Sequence, residues 1–515
     1  MPLQSTRTLL GDLIQAQSAT TIAVAVFLMT AAVLFMYRPF GQAEVGDSAL
    51  YDYLAQEVVR GHLPYRDVIE IKTPASFYLS ALAMKAGNVF GVRDVIAARM
   101  LHILFAGLLS AILYLVSEAF FRDRLAGLIA AFAPLMSDHY CNWTAGGGQP
   151  KLPMILFGML TLLMIGKARP FWAGFCSMLS CLCWQPGLLF TGTAVLVFSN
   201  YLTRWRDLRA VKVLFGASIP LLVMVMYFYS KGALADLWTW TVAFNYGVNA
   251  QQTLRTASES LNHFWSVSLR VFGFGLVLLF LSVAGFVLTA IDRLRARMKD
   301  APKVEPPASY QDVILIAPAV YVGFCLIRFN AAPYLLPLFP FLALFAGRCI
   351  SSLTARLRSA GKLEFVTWIP SATLLLIAAV TLWRGINFQF EHGLTLQAQD
   401  KDFEVISRML GADDKIYVHG SIEILVLTDR PNLNPYVFLD WGKDDYLAAR
   451  MRTDFPAVVD EMEKEAPKIV ALARLQKVTH RADLINWVEQ HYDELKVRDY
   501  DGVYVRKPGF AASSR

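Results

Sequence analysis

The chain has 515 residues, of which 56% are hydrophobic and only 17% charged, and its formal net charge is +7. That is too apolar for a soluble enzyme of this size and places the chain in the polytopic membrane class. The basic residues flank apolar runs, so they read as orientation signals in a membrane. No helix-turn-helix, zinc-finger or RNA-binding signature accompanies them, and nucleic acid is not an expected partner.

The mostly polar stretch Met1–Thr20 precedes an apolar run, Thr21–Met36, with no small-x-small cleavage site before Pro39; it reads as an uncleaved anchor. Further apolar runs follow near 97–120, 125–137, 150–166, 171–185, 187–202, 213–230, 267–290, 313–328, 334–350 and 365–383. With the first run at 21–37 they make about eleven candidate spans, each judged against the roughly 20 apolar residues a crossing needs. The runs at 125–137 and 171–185 are short.

Charge orients these spans. With a cytoplasmic N-terminus, every inside connection is basic: Arg122 and Arg124; Lys167 and Arg169; Arg204 to Lys212; Arg293 to Lys299; Arg348 to Lys362. The opposite connections at 138–149, around Gln185 and at 329–333 hold no Lys or Arg. The alternation puts the first long loop, 38–96, and everything after Trp383 outside. In a bacterium the expected location is the inner membrane with those parts in the periplasm. The stretch 300–311, with Pro302, Pro306 and Pro307, reads as a cytoplasmic linker.

Two domains are expected: a membrane domain at 1–383 and a polar C-terminal domain at 384–515. In the latter, Lys415–His419, Lys468–Leu472 and Gly502–Arg506 read as strands. Asp499–Gly502 reads as a hairpin turn, and Phe455–Lys464 and Ala482–Tyr492 as amphipathic helices. The fold class is therefore an α-helical polytopic membrane protein with a small C-terminal α/β domain. The six cysteines have neither zinc spacing nor a disulfide pattern. No His/Asp/Glu cluster has ligand spacing, so neither cofactor nor metal is expected.

The chemistry concentrates in the first long loop. Asp52–Arg60 and Pro74–Phe90 have helical apolar spacing and read as two helices lying on the membrane surface, apolar side down. Asp47 stands just before the first, and Lys72-Thr73-Pro74 opens the second. An aspartate there is a favoured helix cap and an interfacial lysine often snorkels. The same two groups suit a reaction in which a hydroxyl loses its proton to a carboxylate and a departing phosphate is held by a fixed cation. Arg66, Asp67 and Glu70 are able to pair with one another. Lys151, Arg99 and His102 lie near span ends on the same side.

Asp47-Ser48-x-x-Tyr51, Ala55-Gln-Glu-Val-Val-Arg-Gly61, Pro64-Tyr-Arg-Asp67, Lys72-Thr-Pro74 and Tyr78-Leu79, in that order, resemble the first outer loop of C-type glycosyltransferases. The branch resembled includes protein mannosyltransferases and the lipid A-modifying aminoarabinose and galacturonic acid transferases. Ala332-Pro-Tyr-Leu-Leu-Pro-Leu-Phe-Pro340 is similar to a late span of that family. The chain departs from the family pattern in having Ser48 where a second acidic residue is usual, Thr73 where Pro is usual, and Gly147-Gly-Gln149-Pro150 in place of Asn-Thr-Glu-Pro.

The resemblance implies a sugar donor on polyprenyl phosphate, a lipid, glycan or protein hydroxyl as acceptor, and inversion at the sugar carbon. It implies Asp47 as base, Lys72 as donor-phosphate contact, Arg328 as a second phosphate contact and Tyr334 beside it. Tyr51 and Arg66 lie in the matched motifs as substrate contacts, and Asp138 and His139 are candidates for the charge role that Gln149 lacks. The rival classes are a transporter and a non-catalytic scaffold. Against transport, Arg99, Glu118, Lys151, Arg270 and Arg348 all lie near span ends, and no inverted repeat with broken helices is visible.

Overall fold

The computed structural model describes residues 17–200, 207–247, 256–272, 276–299, 309–329, 331–359, 368–390, 393–440, 442–451, 456–498 and 500–510. Most of the expected linker at 300–311, Arg204 and Arg206 of the basic loops, and Asp499 of the expected hairpin turn lie outside the described residues.

Seven helices among the described residues are long and apolar enough to cross a membrane: they begin at Ala19, Asp94, Leu208, Val277, Tyr310, Leu338 and Ile369. Four shorter apolar helices, Arg124–Met136, Lys151–Gly166, Pro170–Cys183 and Gln185–Phe198, fall on the remaining apolar runs. The helix Leu208–Ser230 leaves Phe215, Val223 and Met226 open on its outer face. In water such continuous apolar surface would be a liability; in lipid it is solvated. The protein is an integral membrane protein.

Two buried clusters organise the molecule. One fills the bundle, with Leu109, Leu113, Met159 and Phe339 among its members. The other joins the first long loop to the C-terminal domain through Tyr51, Tyr53, Leu54, Val418, Leu425 and Val470. The first loop helix runs Gly46–Arg60, six residues further back than its apolar spacing indicates. It does more than rest on the bundle, because the C-terminal domain packs on its other side, where Gln56 donates to Val426 O at 3.3 Å, and Asp52, Gln56 and Glu57 are all buried. The second, Ala75–Val89, follows the surface-helix pattern: Phe77, Ala81 and Met84 are buried, while Leu82, Val89 and the following Phe90 are open.

The C-terminal domain has a four-stranded sheet in the order β1-β2-β4-β3, with β1 Ile416–His419, β2 Ile469–Leu472, β3 Tyr492–Glu494 and β4 Val503–Arg506. β1 and β2 are parallel, Ile416 opposite Ile469, and the other pairs are antiparallel. Three strands match the sequence reading. β3 has three residues directly after a helix and carries no alternation of its own. The domain is fastened to the loop by polar contacts. Arg93 donates to Asp400 at 2.7 and 2.5 Å, Asn432 N donates to the Tyr53 hydroxyl at 2.8 Å, and Ile69 N donates to Pro435 O at 3.0 Å. Gln399 brackets the Glu44 backbone at 2.7 and 2.8 Å.

Candidate active site

The first loop helix presents Asp47 in its opening turn. A carboxylate is favoured there by the unpaired N–H groups of the helix start. Its ion-pair partner is Lys151, with Nζ 3.0 Å from Oδ2. Lys151 opens the helix Lys151–Gly166 and is 1% exposed, so its ammonium has to be satisfied inside the protein. Gln149 Oε1 accepts from it at 2.9 Å, and the rings of Trp184 and Tyr334 lie 5.4 and 5.7 Å away, within cation–π range. Trp184 and Tyr334 meet edge to face at 4.9 Å.

The loop that delivers Gln149 is itself pinned. His102 receives the Gln149 N–H at Nε2, 3.1 Å, and its Nδ1 lies 2.9 Å from Ala98 O. The Nδ1 contact to a carbonyl leaves Nε2 free to accept, which fixes the tautomer. Gly147 has φ +106°, and a Cβ on Gly148 would stand 2.7 Å from Tyr51 Cβ and 2.8 Å from Asp52 Oδ1. Two glycines in a row let this loop lie flat against the first loop helix.

Lys72 lies over the Tyr51 ring at 4.7 Å, and the Tyr51 hydroxyl contacts Glu70 Oε1 at 3.5 Å. Glu70 Oε1 also accepts from Lys72 N at 3.1 Å, which sets the turn that aims the lysine. Burial works against charge on Asp47, but Lys151, Lys72 and Arg474 outweigh it and hold the carboxyl below the usual carboxylate range. Burial likewise works against Lys72, and the nearby Asp47 and Glu70 carboxylates raise its pKa. Asp47 and Lys72 thus share one electrostatic site, although the direct salt bridge goes to Lys151. The Asp47 side chain keeps 42% of its surface open, so this charge cluster is reachable.

An apolar groove of about 490 Å³ begins two residues beyond Lys72. Pro74, Ala75 and Tyr78 line it together with the helices Pro170–Cys183 and Leu208–Ser230. These helices touch backbone to backbone: a Cβ on Gly174 would stand 1.9 Å from Val213 O, and one on Gly216 2.0 Å from Phe171 O. Beyond that contact Leu179, Leu182, Val223, Met224 and Phe228 line the groove.

Tyr51, Lys72 and Tyr334 are therefore gathered around Asp47. The remaining candidates have other partners. Asp138 binds Arg384 and accepts from the Tyr37 hydroxyl at 3.2 Å, tying the first and last long helices together. His139 stacks on Trp143 at 5.5 Å between centroids, on an exposed face. Arg66 pairs with Asp236 at 2.9 Å rather than with Asp67 or Glu70. Arg328 ends the helix Ser309–Arg328, and its side chain lies outside the described residues. Gln149 and Arg474 are members that the spacing arguments left out: Gln149 works as a lysine acceptor, and Arg474 arrives from a distant part of the chain. Among the described residues no group of three or more His, Cys, Asp or Glu side chains is placed to hold a metal.

The architecture has known counterparts. Solved structures similar to it include ArnT from Cupriavidus metallidurans bound to undecaprenyl phosphate. The TM-score is 0.62 at 12% identity, covering 96% of this chain and 100% of that one. The fold is that of the C-type glycosyltransferases. The Archaeoglobus fulgidus oligosaccharyltransferase AglB, in complex with an inhibitory peptide and a dolichol-phosphate, matches with a TM-score of 0.56 at 12% identity over 94% of this chain and 74% of that one. In sequence the chain is 23% identical over 256 residues to a dolichol phosphate-mannose mannosyltransferase of Haloferax volcanii, which is 49% of this chain. It spans about half of that relative, 53%. No family model matches the chain. At these identities the C-type likeness is one of fold, and the residues around Asp47 have to speak for the chemistry.

Proposed function

We propose that the protein is an inverting glycosyltransferase that moves a sugar from a polyprenyl-phosphate donor to an acceptor hydroxyl on a lipid, glycan or protein. The N-terminus is cytoplasmic, and the C-terminal domain and the reaction lie on the periplasmic side of the bacterial inner membrane. The reading rests on one pairing: a carboxylate–lysine cluster that stays open, and an apolar groove whose lining includes Pro74, two residues after Lys72 in the chain. A hydrocarbon tail needs the groove, and its phosphate needs cations at the groove's end.

In this reading Lys72 and Lys151 take the donor phosphate. Its arrival draws Lys151 away from Asp47, which frees the carboxylate to act. Asp47 accepts the acceptor's hydroxyl proton as the oxygen attacks the anomeric carbon from the face opposite the phosphate. The bond from that carbon to the phosphate oxygen breaks, its electron pair stays on the phosphate, and the two lysines neutralise the added charge. A single displacement inverts the carbon.

The test is transfer of radiolabelled sugar from a synthetic polyprenyl-phosphate donor to native membrane acceptors, with wild type beside Asp47→Asn. Transfer that depends on Asp47 is the expected result. Full transfer by the Asn variant would overturn the role given to Asp47, and no transfer by folded wild type that binds the donor would overturn the enzyme reading.

A further inference from the structure

Asp47 has cations on two sides. Lys151 and Lys72 face it from the membrane domain, and Arg474 faces it from the C-terminal domain. Arg474 directly follows the segment after β2, with its backbone in the left-handed region at φ +57°. Its guanidinium hangs over the start of the first loop helix, where a Cβ on Gly46 would stand 3.8 Å from Nη2. The arginine is packed at 5.9 Å against the Phe438 ring, which orients it. It is exposed, and it makes no ion pair or side-chain hydrogen bond among the described residues. Burial pushes the nearby Glu423 carboxyl up to about 7, against the pull of Arg474.

The other cations of the site are committed. Lys151 is paired, boxed by aromatics and buried, and Lys72 lies over the Tyr51 ring with Asp47 and Glu70 near its charge. Arg474 reaches Asp47 from the C-terminal domain and is not part of the groove lining, which leaves it for the acceptor. A neutral acceptor has no use for an open guanidinium. An acceptor bearing an oxyanion would be repelled by Asp47 unless a cation received it, and a planar guanidinium receives carboxylate or phosphate through paired N–H donors.

We propose that Arg474 is a specificity-determining residue that selects acceptors carrying a carboxylate or phosphate near the hydroxyl to be glycosylated. This rests on the glycosyltransferase reading and names its acceptor class. Lysine supplies the charge without the fork, so Arg474→Lys keeps part of the selection and Arg474→Gln keeps none.

The experiment uses the full chain in nanodiscs, saturated with undecaprenyl phosphate so that the donor-phosphate cations are occupied. Methyl glucoside, methyl glucuronide and glucose 6-phosphate are then titrated by calorimetry. The expected result is that one or both charged sugars bind about tenfold tighter than the neutral one, as a charge-assisted contact implies. That preference falls to parity in Arg474→Gln, and part of it returns in Arg474→Lys. The carboxylate and phosphate arms tell which oxyanion fits. Equal binding of all three sugars, no binding of any, or a preference that survives in Arg474→Gln overturns the inference. Failure to bind undecaprenyl phosphate at the outset strikes the donor reading instead, so the two failures are separable.

Discussion

Two carboxylate–cation clusters lie within a few residues of each other in the first long loop, and they differ above all in access. Glu44 meets Arg99 at 2.8 Å with both side chains 0% exposed, and Asp52, also fully buried, lies against them. Asp47 meets Lys151 at 3.0 Å with 42% of its side chain open. The sealed cluster is a structural bolt. Arg99 also donates to Pro39 O and Gln42 O at 2.8 and 2.7 Å, which ties the loop to the helix Asp94–Phe121. Burial raises both carboxyls, and the neighbouring Glu44 pushes Asp52 well above the usual range against the pull of Arg99. One guanidinium faces two buried carboxyls there. The open cluster has a spare cation, an entrance and an apolar groove beside it. Charge pairing alone does not separate a bolt from a candidate active site; access does.

The largest effect that this contrast implies is on turnover. Asp47→Asn keeps the shape and removes the base, so transfer should fall about 10²–10⁴-fold, the usual worth of a positioned base. Some loss of melting temperature should accompany it, because the buried Lys151 ammonium loses its carboxylate and keeps only Gln149 and the Trp184 and Tyr334 rings. A large loss of stability with little loss of rate would reverse the assignment of the two clusters.

Arg99→Met should do the opposite. It strands Glu44 in a sealed site, and breaking a buried pair costs about 3–5 kcal/mol. Denaturant or thermal unfolding in detergent should report that loss, and Glu44→Gln added to Arg99→Met should recover part of it by removing the stranded charge. A double variant no more stable than the single one would mean that Arg99 is a packing residue and not a bolt.

The sequence made the class of the molecule legible, and it pointed to the loop. Apolar runs locate the helices because a membrane demands length and composition together, and three strands of the C-terminal domain stand out by their short β-branched runs. That Asp47, Lys72, Tyr51 and Tyr334 come together was foreshadowed by the ordered motifs in which each sits. Lys151 was visible only as an interfacial lysine. Its partner lies 104 positions away, a pairing that no local spacing encodes. Arg474 was invisible for the same reason, and β3 because three residues hold no pattern. Asp138 and Arg66 drew attention as charged loop residues, yet each is spent on a structural ion pair, with Arg384 and Asp236. A charge in a loop announces a partner, and only the fold says whether that partner is protein or substrate.

The pH dependence sharpens the open cluster further. Asp47 is held below the usual carboxylate range, so it stays ionised as pH falls, and the acid limb of activity belonging to it should lie below about pH 4. Lys151→Met removes the strongest opposing charge and leaves burial, which raises the pKa, against Lys72 and Arg474 alone. The limb should therefore move to higher pH by about one pH unit or more. The profile of kcat/KM against pH reads it directly, since that ratio follows groups in the free enzyme. An unmoved limb would mean that Lys151 does not set the charge state of Asp47.

The smallest effect should come from Arg66→Ala. This residue lies in the same loop and in a matched motif, but its guanidinium is 44% exposed and its partner Asp236 36%. Exposed pairs contribute about 0–1 kcal/mol because water and salt screen them. The backbone of Lys231 also accepts from Arg66 at 3.3 Å, so the residue fastens the loop to the end of the helix Leu208–Ser230 without touching the Asp47 cluster. Transfer should stay within about twofold of wild type, and stability should fall by less than about 1 kcal/mol, with the difference shrinking in high salt. A loss of rate approaching that of Asp47→Asn would place Arg66 among the groups that meet substrate. It would also mean that the open site extends along the loop to Asp236, so that the contrast between open and sealed charge was drawn too narrowly.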